Sequence, residues 1–340
     1  EHGHVWIFVS GRGRKRPGFK YRSVEPLSTA AFELVSEEEM TYPQPWWVEG
    51  QGFVHLFTKY TGIRELYWNI SPDGRDWTEH RKLAGMGGHY QTSNRRGDRV
   101  VTAFNMHPKG NVDKRTNLYF VESRDMGKTW LTVDGRPVKT PMVDPDCPAL
   151  VRNFAAEGRL VYMKDINFDA RGNPIILVVT SAFHQPGPKG DPRIWTIAHW
   201  SGEKWKFHQV TQSTHNYDMG SLYVEPGGVW RIIGPTEPGP QRLGTGGEMA
   251  VWISRDQGAT WTKSRDITCN SQFNHAYARR PVDADPDFYA FWADGNPDEF
   301  SRSRIYFTNR EGNKLWRLPY DMKGEFAKPE LLPTTSGQAN

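Results

Sequence analysis

Apolar and aromatic residues occur in short runs of four or five, such as Leu66-Tyr67-Trp68-Asn69-Ile70, Asn117-Leu118-Tyr119-Phe120 and Ala250-Val251-Trp252-Ile253. No stretch sustains the three-to-four spacing of a long amphipathic helix, so the runs read as strands. Each of the three runs leads into a turn that ends in tryptophan. The turns are Ser71-Pro72-Asp73-Gly74-Arg75-Asp76-Trp77, Ser123-Arg124-Asp125-Met126-Gly127-Lys128-Thr129-Trp130 and Ser254-Arg255-Asp256-Gln257-Gly258-Ala259-Thr260-Trp261. Aspartate accepts hydrogen bonds from turn amides, glycine permits positive φ, and tryptophan packs the hairpin on a neighbour. Three hairpins of one type are predicted.

The recurring turn resembles the Asp box of sialidase-like β-propellers. Asp73 and Asp125 lie 52 positions apart, and Asp125 and Asp256 lie 131 apart. Such spacing suits propeller blades of about 40–50 residues and four strands. Weaker hairpins fill the gaps, at Ile194–Trp200 with Trp205–Val210, at Ile305–Thr308 with Leu315–Pro319, and near Tyr21 to Val35. The fold class is therefore all-β, a single β-propeller domain over residues 1–340 with both terminal segments closing the ring. Six hairpins are counted. The stretch between Asp125 and Ser201 has room for another blade, and the family resemblance below implies seven, which is the number expected.

Composition changes this picture little. The 340 residues include 33 glycines and 24 prolines, spread evenly as turns would be. Repeat folds grow without dividing, so the length asks for no second domain. No apolar run approaches the roughly 18 residues of a membrane span. Two cysteines, Cys147 and Cys269, make neither a disulfide framework nor a CxxC metal site. A chain that starts at Glu1 reads as a trimmed or mature form. Net charge is +4, gathered at Arg12, Arg14, Lys15 and Arg16, at Lys109, Lys114 and Arg115, and at Arg279 and Arg280. No nucleic-acid-binding motif accompanies these clusters, so nucleic acid is not expected as a partner. An acidic small target such as a uronic acid fits them.

Blade order places side chains. Residues just before a first strand and just after a second strand converge on the rim opposite the Asp boxes. That rim collects Tyr42 to Gln44 and Lys59; His89 and His107; Asp144, Asp146, Arg152, Lys164 and Asp165; His215, Tyr217 and Glu237; and His275, Arg279, Arg280 and Asp294. Any one of these has a structural alternative, a turn cap or a bonded core histidine. Alternation along a strand lets at most one of Arg279 and Arg280 face the channel.

Several further segments narrow the resemblance. They include Ile7-Phe8-Val9-Ser10-Gly11-Arg12-Gly13-Arg14, Leu56-Phe57-Thr58-Lys59-Tyr60-Thr61, Gly87-Gly88-His89-Tyr90-Gln91, His215-Asn216-Tyr217-Asp218-Met219-Gly220 and Phe273-Asn274-His275-Ala276-Tyr277-Ala278-Arg279-Arg280. Over nearly the whole chain they resemble L-rhamnose-α-1,4-D-glucuronate lyases of polysaccharide lyase family 42 and the related α-L-rhamnosidases of glycoside hydrolase family 145. Ulvan lyases are more distant. The resemblance implies action on rhamnose caps of arabinogalactan-type glycans such as gum arabic. The arginine triad, Tyr–Glu nucleophile and acidic Asp of sialidases are not assembled from this sequence. In the related hydrolases the resemblance implies an early histidine on the opposite face; Thr41 to Gly52 has none, but carries Gln44 and Gln51. An amide cannot exchange protons near neutral pH as imidazole does, which favours the lyase.

Elimination from a 4-linked glucuronate needs a cation at the C6 carboxylate, a base for the C5 proton and an acid for the departing oxygen. By rim geometry and the ulvan-lyase resemblance, His89 and His107, 18 positions apart, form the proton-transfer pair, with Tyr217 as the next acid or base. Arg152, Lys164 and Arg279 or Arg280 are expected to neutralise the carboxylate, and Gln44 and His215 to touch sugar. No cofactor or metal is required; a structural Ca2+ in the central channel is compatible with the fold, although no ligand motif supports it. The expected partner is an acidic glycan, met in the periplasm or outside the cell by a monomer. The alternatives are a retaining α-L-rhamnosidase on the same linkage and a non-catalytic glycan-binding propeller.

Overall fold

The structure, a computed structural model, describes residues 1–11 and 16–334. Arg12, Arg14 and Lys15 of the first basic cluster lie outside the described residues. The chain divides into two compact units, Glu1–Glu157 and Gly158–Asn340.

Unit 1 holds three antiparallel sheets taken up in chain order. The first joins β1 (Trp6–Val9), β2 (Gly18–Ser23) and β3 (Phe32–Glu38). The second joins β4 (Thr41–Val48), β5 (Gly52–Tyr60), β6 (Arg64–Ser71) and β7 (Arg81–Ala84). The third joins β8 (Gln91–Arg96), β9 (Arg99–Met106), β10 (Thr116–Ser123) and the short β11 (Leu150–Arg152). Strands β5, β9 and β10 are buried along almost their whole length, because sheets covered on both faces read as continuous apolar runs. Val54, Leu56, Trp68, Phe104, Tyr119 and Trp130 pack the core between the second and third sheets.

Unit 2 repeats the plan. Its sheets are β12 (Leu160–Phe168), β13 (Pro174–Ser181), β14 (Arg193–Trp200) and β15 (Trp205–Ser213); then β16 (Ser221–Val224), β17 (Trp230–Glu237), β18 (Glu248–Ser254) and β19 (Thr262–Asp266). The last joins β20 (Asn274–Arg279), β21 (Ala290–Gly295), β22 (Ile305–Thr308), β23 (Leu315–Arg317) and β24 (Glu330–Leu332). Tyr162, Leu177, Trp195 and Trp230 form one core cluster, and Tyr223, Ile233, Met249 and Trp292 another.

The described residues thus form six blade-type sheets, which corrects the expected seven to the number the hairpins count. The long stretch after Asp125 makes no blade of its own. Leu131 bridges back to Glu122 and on to Pro137, Leu150–Arg152 joins β10 as an outer strand, and Leu160 already opens the next sheet. One phase assignment changes with it: β12 is a first strand rather than a second, so Lys164 and Asp165 sit mid-strand instead of at a rim.

The Asp-box turns close as their residues predict. In the second box Ser123 Oγ accepts from Gly127 N–H at 2.8 Å and donates to Asp125 Oδ1, which also accepts from Thr129 N–H at 2.9 Å. The third box repeats this with Ser254, Gly258, Asp256 and Thr260. Met126 and Gln257, the residues by which these boxes exceed the first, take positive φ of 59° each. Gly127 is required for a second reason, since a Cβ there would stand 2.5 Å from Trp68 Nε1. The tryptophans pack more widely than within their own blades. Trp130 is 2% exposed and meets Trp68 of the second sheet edge-on, while half-buried Trp77 meets Phe8 of the first.

Candidate functional site

At the ends of the second and third sheets away from the Asp boxes, unit 1 gathers two arginines, three tyrosines and two histidines. The order of strands explains why. First strands begin there, second strands end there, and third strands begin there again. His89 and Tyr90 precede β8, His107 follows β9, Arg64 opens β6 and Arg115 immediately precedes β10.

Tyr90 is the centre of the group. The Arg64 guanidinium carbon lies 4.1 Å from its ring centroid and that of Arg115 4.9 Å. The His107 ring meets Tyr90 edge-on at 4.9 Å, and Tyr42 meets it at 5.5 Å. Arg64 also donates to Tyr60 Oη at 3.3 Å, yet its Nε is buried without a hydrogen-bond partner among the described residues. Arg115 is 3% exposed and donates from Nε to Val112 O.

The two histidines differ. His107 is held by its backbone, which exchanges two hydrogen bonds with Gly88. Its ring is packed so closely that a Cβ on Gly88 would come 2.7 Å from Nδ1. Its Nε2 is buried with no hydrogen-bond partner among the described residues. Burial first, then the positive charges of Arg115 and Arg64, lower its pKa to about 2, so the ring is neutral. His89 is fully buried; its Nδ1 donates to Asn105 O at 2.8 Å and its Nε2 accepts from Met86 N–H at 3.2 Å. That bonding fixes its tautomer and leaves neither nitrogen for a ligand. Burial lowers its pKa to about 4.

The remaining predicted residues lie elsewhere. Gln44 binds within the sheets, donating to Gln91 O and accepting from Ser93 Oγ. Arg152 pairs with Glu157 through two bonds of 2.7 and 2.9 Å. In unit 2, Lys164 is 3% exposed and its Nζ donates to Asn216 O at 2.7 Å. His215 Nδ1 accepts from Tyr217 N–H, and Tyr217 packs edge-on against Tyr162. Asp218 accepts from the N–H groups of His215 and Gly246, and burial raises its pKa to about 6. Lys164, His215 and Tyr217 therefore brace one loop. Arg280 lies 3.6 Å from Asp165; Arg279 is solvent-exposed, but burial of its guanidinium by surrounding atoms still lowers its pKa, with Asp165 acting the other way.

Sequence reasoning missed Arg64, Tyr90 and Arg115 as site residues. Tyr90 precedes a first strand beside His89, whereas Arg64 and Arg115 sit where third strands start, a position that blade order also brings to this rim. Counting that position would have found both arginines.

The model of the BNR repeat-containing family matches residues 6–213, or 208 of the 340 residues. The chain belongs to this family. No curated protein matches its sequence. Among solved structures, an ulvan lyase of polysaccharide lyase family 25 superposes with a TM-score of 0.77 at 16% identity, covering 91% of this chain and 77% of that one. A family 25 ulvan lyase bound to -[GlcA(1-4)Rha3S]- gives 0.76 at 16%, with the same coverage. The Penicillium chrysogenum α-L-arabinanase complexed with arabinobiose gives 0.55 at 11%, covering 90% of each chain. At these identities the likeness shows the fold, a β-propeller, and the described residues of this member of the BNR repeat-containing family form six sheets. These structural neighbours include polysaccharide lyases and a glycoside hydrolase.

Proposed function

We propose that the protein is an exo-acting carbohydrate lyase that removes terminal L-rhamnose from α-1,4-linked D-glucuronate by β-elimination. The observation that carries this reading is the pair of guanidinium groups on Tyr90 beside an unpartnered, neutral His107 nitrogen. Two cations with one acceptor are what a uronate needs. Arg64 and Arg115 receive the C6 carboxylate, which lowers the barrier to forming charge at C5. Binding that anion also cancels part of the field that holds His107 so weakly basic. His107 Nε2 then takes the C5 proton. The C5–H electrons form the C4=C5 bond as the C4–O bond breaks, and the Tyr90 hydroxyl protonates the departing rhamnose oxygen. The products are free L-rhamnose and a 4,5-unsaturated uronate at the glycan end. His89 is a positioning residue: its bonds to Asn105 and Met86 fix the backbone beside Gly88, on which His107 rests.

The choice of rhamnose on glucuronate rests on the motif resemblance, and an ulvan lyase structure with a GlcA–Rha3S ligand is a congruent neighbour. No cofactor is needed for this elimination. Such glycans lie outside the cytoplasm, so the enzyme is placed in the periplasm or outside the cell.

The test is incubation with rhamnose-capped arabinogalactan, following released rhamnose and the ultraviolet band of a conjugated unsaturated uronate together. Equimolar appearance of both is expected. Rhamnose without the band would establish the rhamnosidase, and binding without release a glycan-binding propeller.

A further inference from the structure

A cleft of about 410 Å3 with mixed polar and aromatic walls lies wholly in unit 2, between the last sheet and the segment that precedes it. Its walls include Asn270, Gln272, Phe273, Arg304, Tyr306 and Tyr320. This volume is in the range of small-molecule sites. The charges in it are unevenly satisfied. Arg317 pairs with Glu330, and the lining carboxylate Asp294 accepts from Tyr306 Oη at 2.8 Å and from Arg304 N–H at 2.7 Å. The Arg304 guanidinium has no such partner among the described residues. It stacks on Tyr320 with its carbon 4.1 Å from the ring centroid, and its Nε is buried with no acceptor.

A buried donor on a fixed cation, next to amides and aromatic walls, is incomplete without an anion. We propose that this cleft binds an anionic pyranose, with the carboxylate or sulfate on Arg304, hydroxyls on the amides of Asn270 and Gln272, and the sugar ring against the aromatic wall. None of these residues belongs to the His107 group, so the proposal stands whether or not that group performs elimination. On an acidic polysaccharide the cleft holds a part of the chain that is not being cleaved.

The experiment follows the arginine Nε–H resonances of the whole protein, carrying His107→Ala so that no turnover intervenes, with D-glucuronate, D-glucose 6-sulfate, D-glucose and inorganic sulfate as probes. The Arg304 resonance is assigned by its loss in Arg304→Lys. A saturable shift of that resonance with glucuronate or with the sulfated sugar is expected, and which of them acts decides between carboxylate and sulfate. Inorganic sulfate and glucose should bind at least about tenfold more weakly, and Arg304→Gln, which lacks the reporting resonance and is followed by calorimetry, should weaken the anionic sugar by about tenfold or more, as expected for a lost charge-assisted hydrogen bond. Tyr320→Ala, which leaves the charge in place, should weaken it as well. An unmoved Arg304 resonance, equal binding of glucose, or inorganic sulfate binding as tightly as the sugars would overturn the proposal.

Discussion

The two ends of the second and third sheets are built on opposite principles. At the Asp-box end every key bond is local: Ser123, Asp125, Gly127 and Thr129 satisfy one another within seven residues. At the other end the partners come from distant positions and some are left unmet, among them Arg64 Nε and His107 Nε2. Residues that complete one another stabilise a turn. Residues that leave buried polar atoms open cost stability, and such groups persist where a ligand completes them. The boxes should therefore govern folding and the His107 end should govern chemistry.

The sharpest separation is expected from His107→Ala, which should lower kcat by about 10²–10⁴ with little change in melting temperature. Arg64→Gln should lose activity on a comparable scale, and less on a glucuronate methyl ester, which carries no charge to neutralise. Steady-state kinetics on both substrates checks this. Equal losses on acid and ester would place Arg64 away from the carboxylate.

The converse experiment is Trp130→Ala. Its ring is buried among Trp68 and the rest of the unit 1 core, so unfolding by denaturant should show a loss of about 3–5 kcal/mol. Substrate preference should be unchanged at temperatures where the variant stays folded.

Acid should weaken the fold through buried histidines. Burial lowers the pKa of His55 to about 3, of His89 and His215 to about 4 and of His107 to about 2, from an ordinary 6.5. The unfolded chain therefore takes up protons first as pH falls below 6.5, and stability declines from there toward the folded values. Each histidine contributes about 1.4 kcal/mol per pH unit within that window. Asp218, raised to about 6, works in the opposite sense because the folded state holds its extra proton. Melting curves between neutral pH and acid should show the net decline, and His55→Asn should flatten it. A melting temperature that holds or rises on acidification would contradict it.

The smallest effect expected is that of Thr129→Ala. It removes one exposed bond to Asp125 Oδ2 at 2.7 Å and should cost roughly 1 kcal/mol in denaturant unfolding, with no kinetic effect.

This same contrast explains what could be read from the sequence. The boxes were legible because serine, aspartate and glycine act on neighbours a few positions away; they gave three hairpins, and three weaker strand–turn–strand patterns brought the count to six. The blade boundary near Arg152 was not, because β11 is three residues long and its place beside β10 depends on tertiary pairing. Likewise His89 and His107 look equivalent in sequence. Only the positions of Asn105 O and Met86 N–H show that one imidazole is fully bonded and the other is not. Arg64 and Arg115 are 51 positions apart, and what unites them is their common contact with the Tyr90 ring rather than any motif.

The most direct measurement compares unsaturated-uronate formation from rhamnose-capped arabinogalactan by the unaltered protein, by His107→Ala and by Trp261→Ala, whose Asp box lies in unit 2. If the chemistry resides at the Arg64–Tyr90–Arg115–His107 group, the first and third produce the band at similar rates and the second is slower by about 10²–10⁴. Near-normal turnover by His107→Ala would contradict the proposed site.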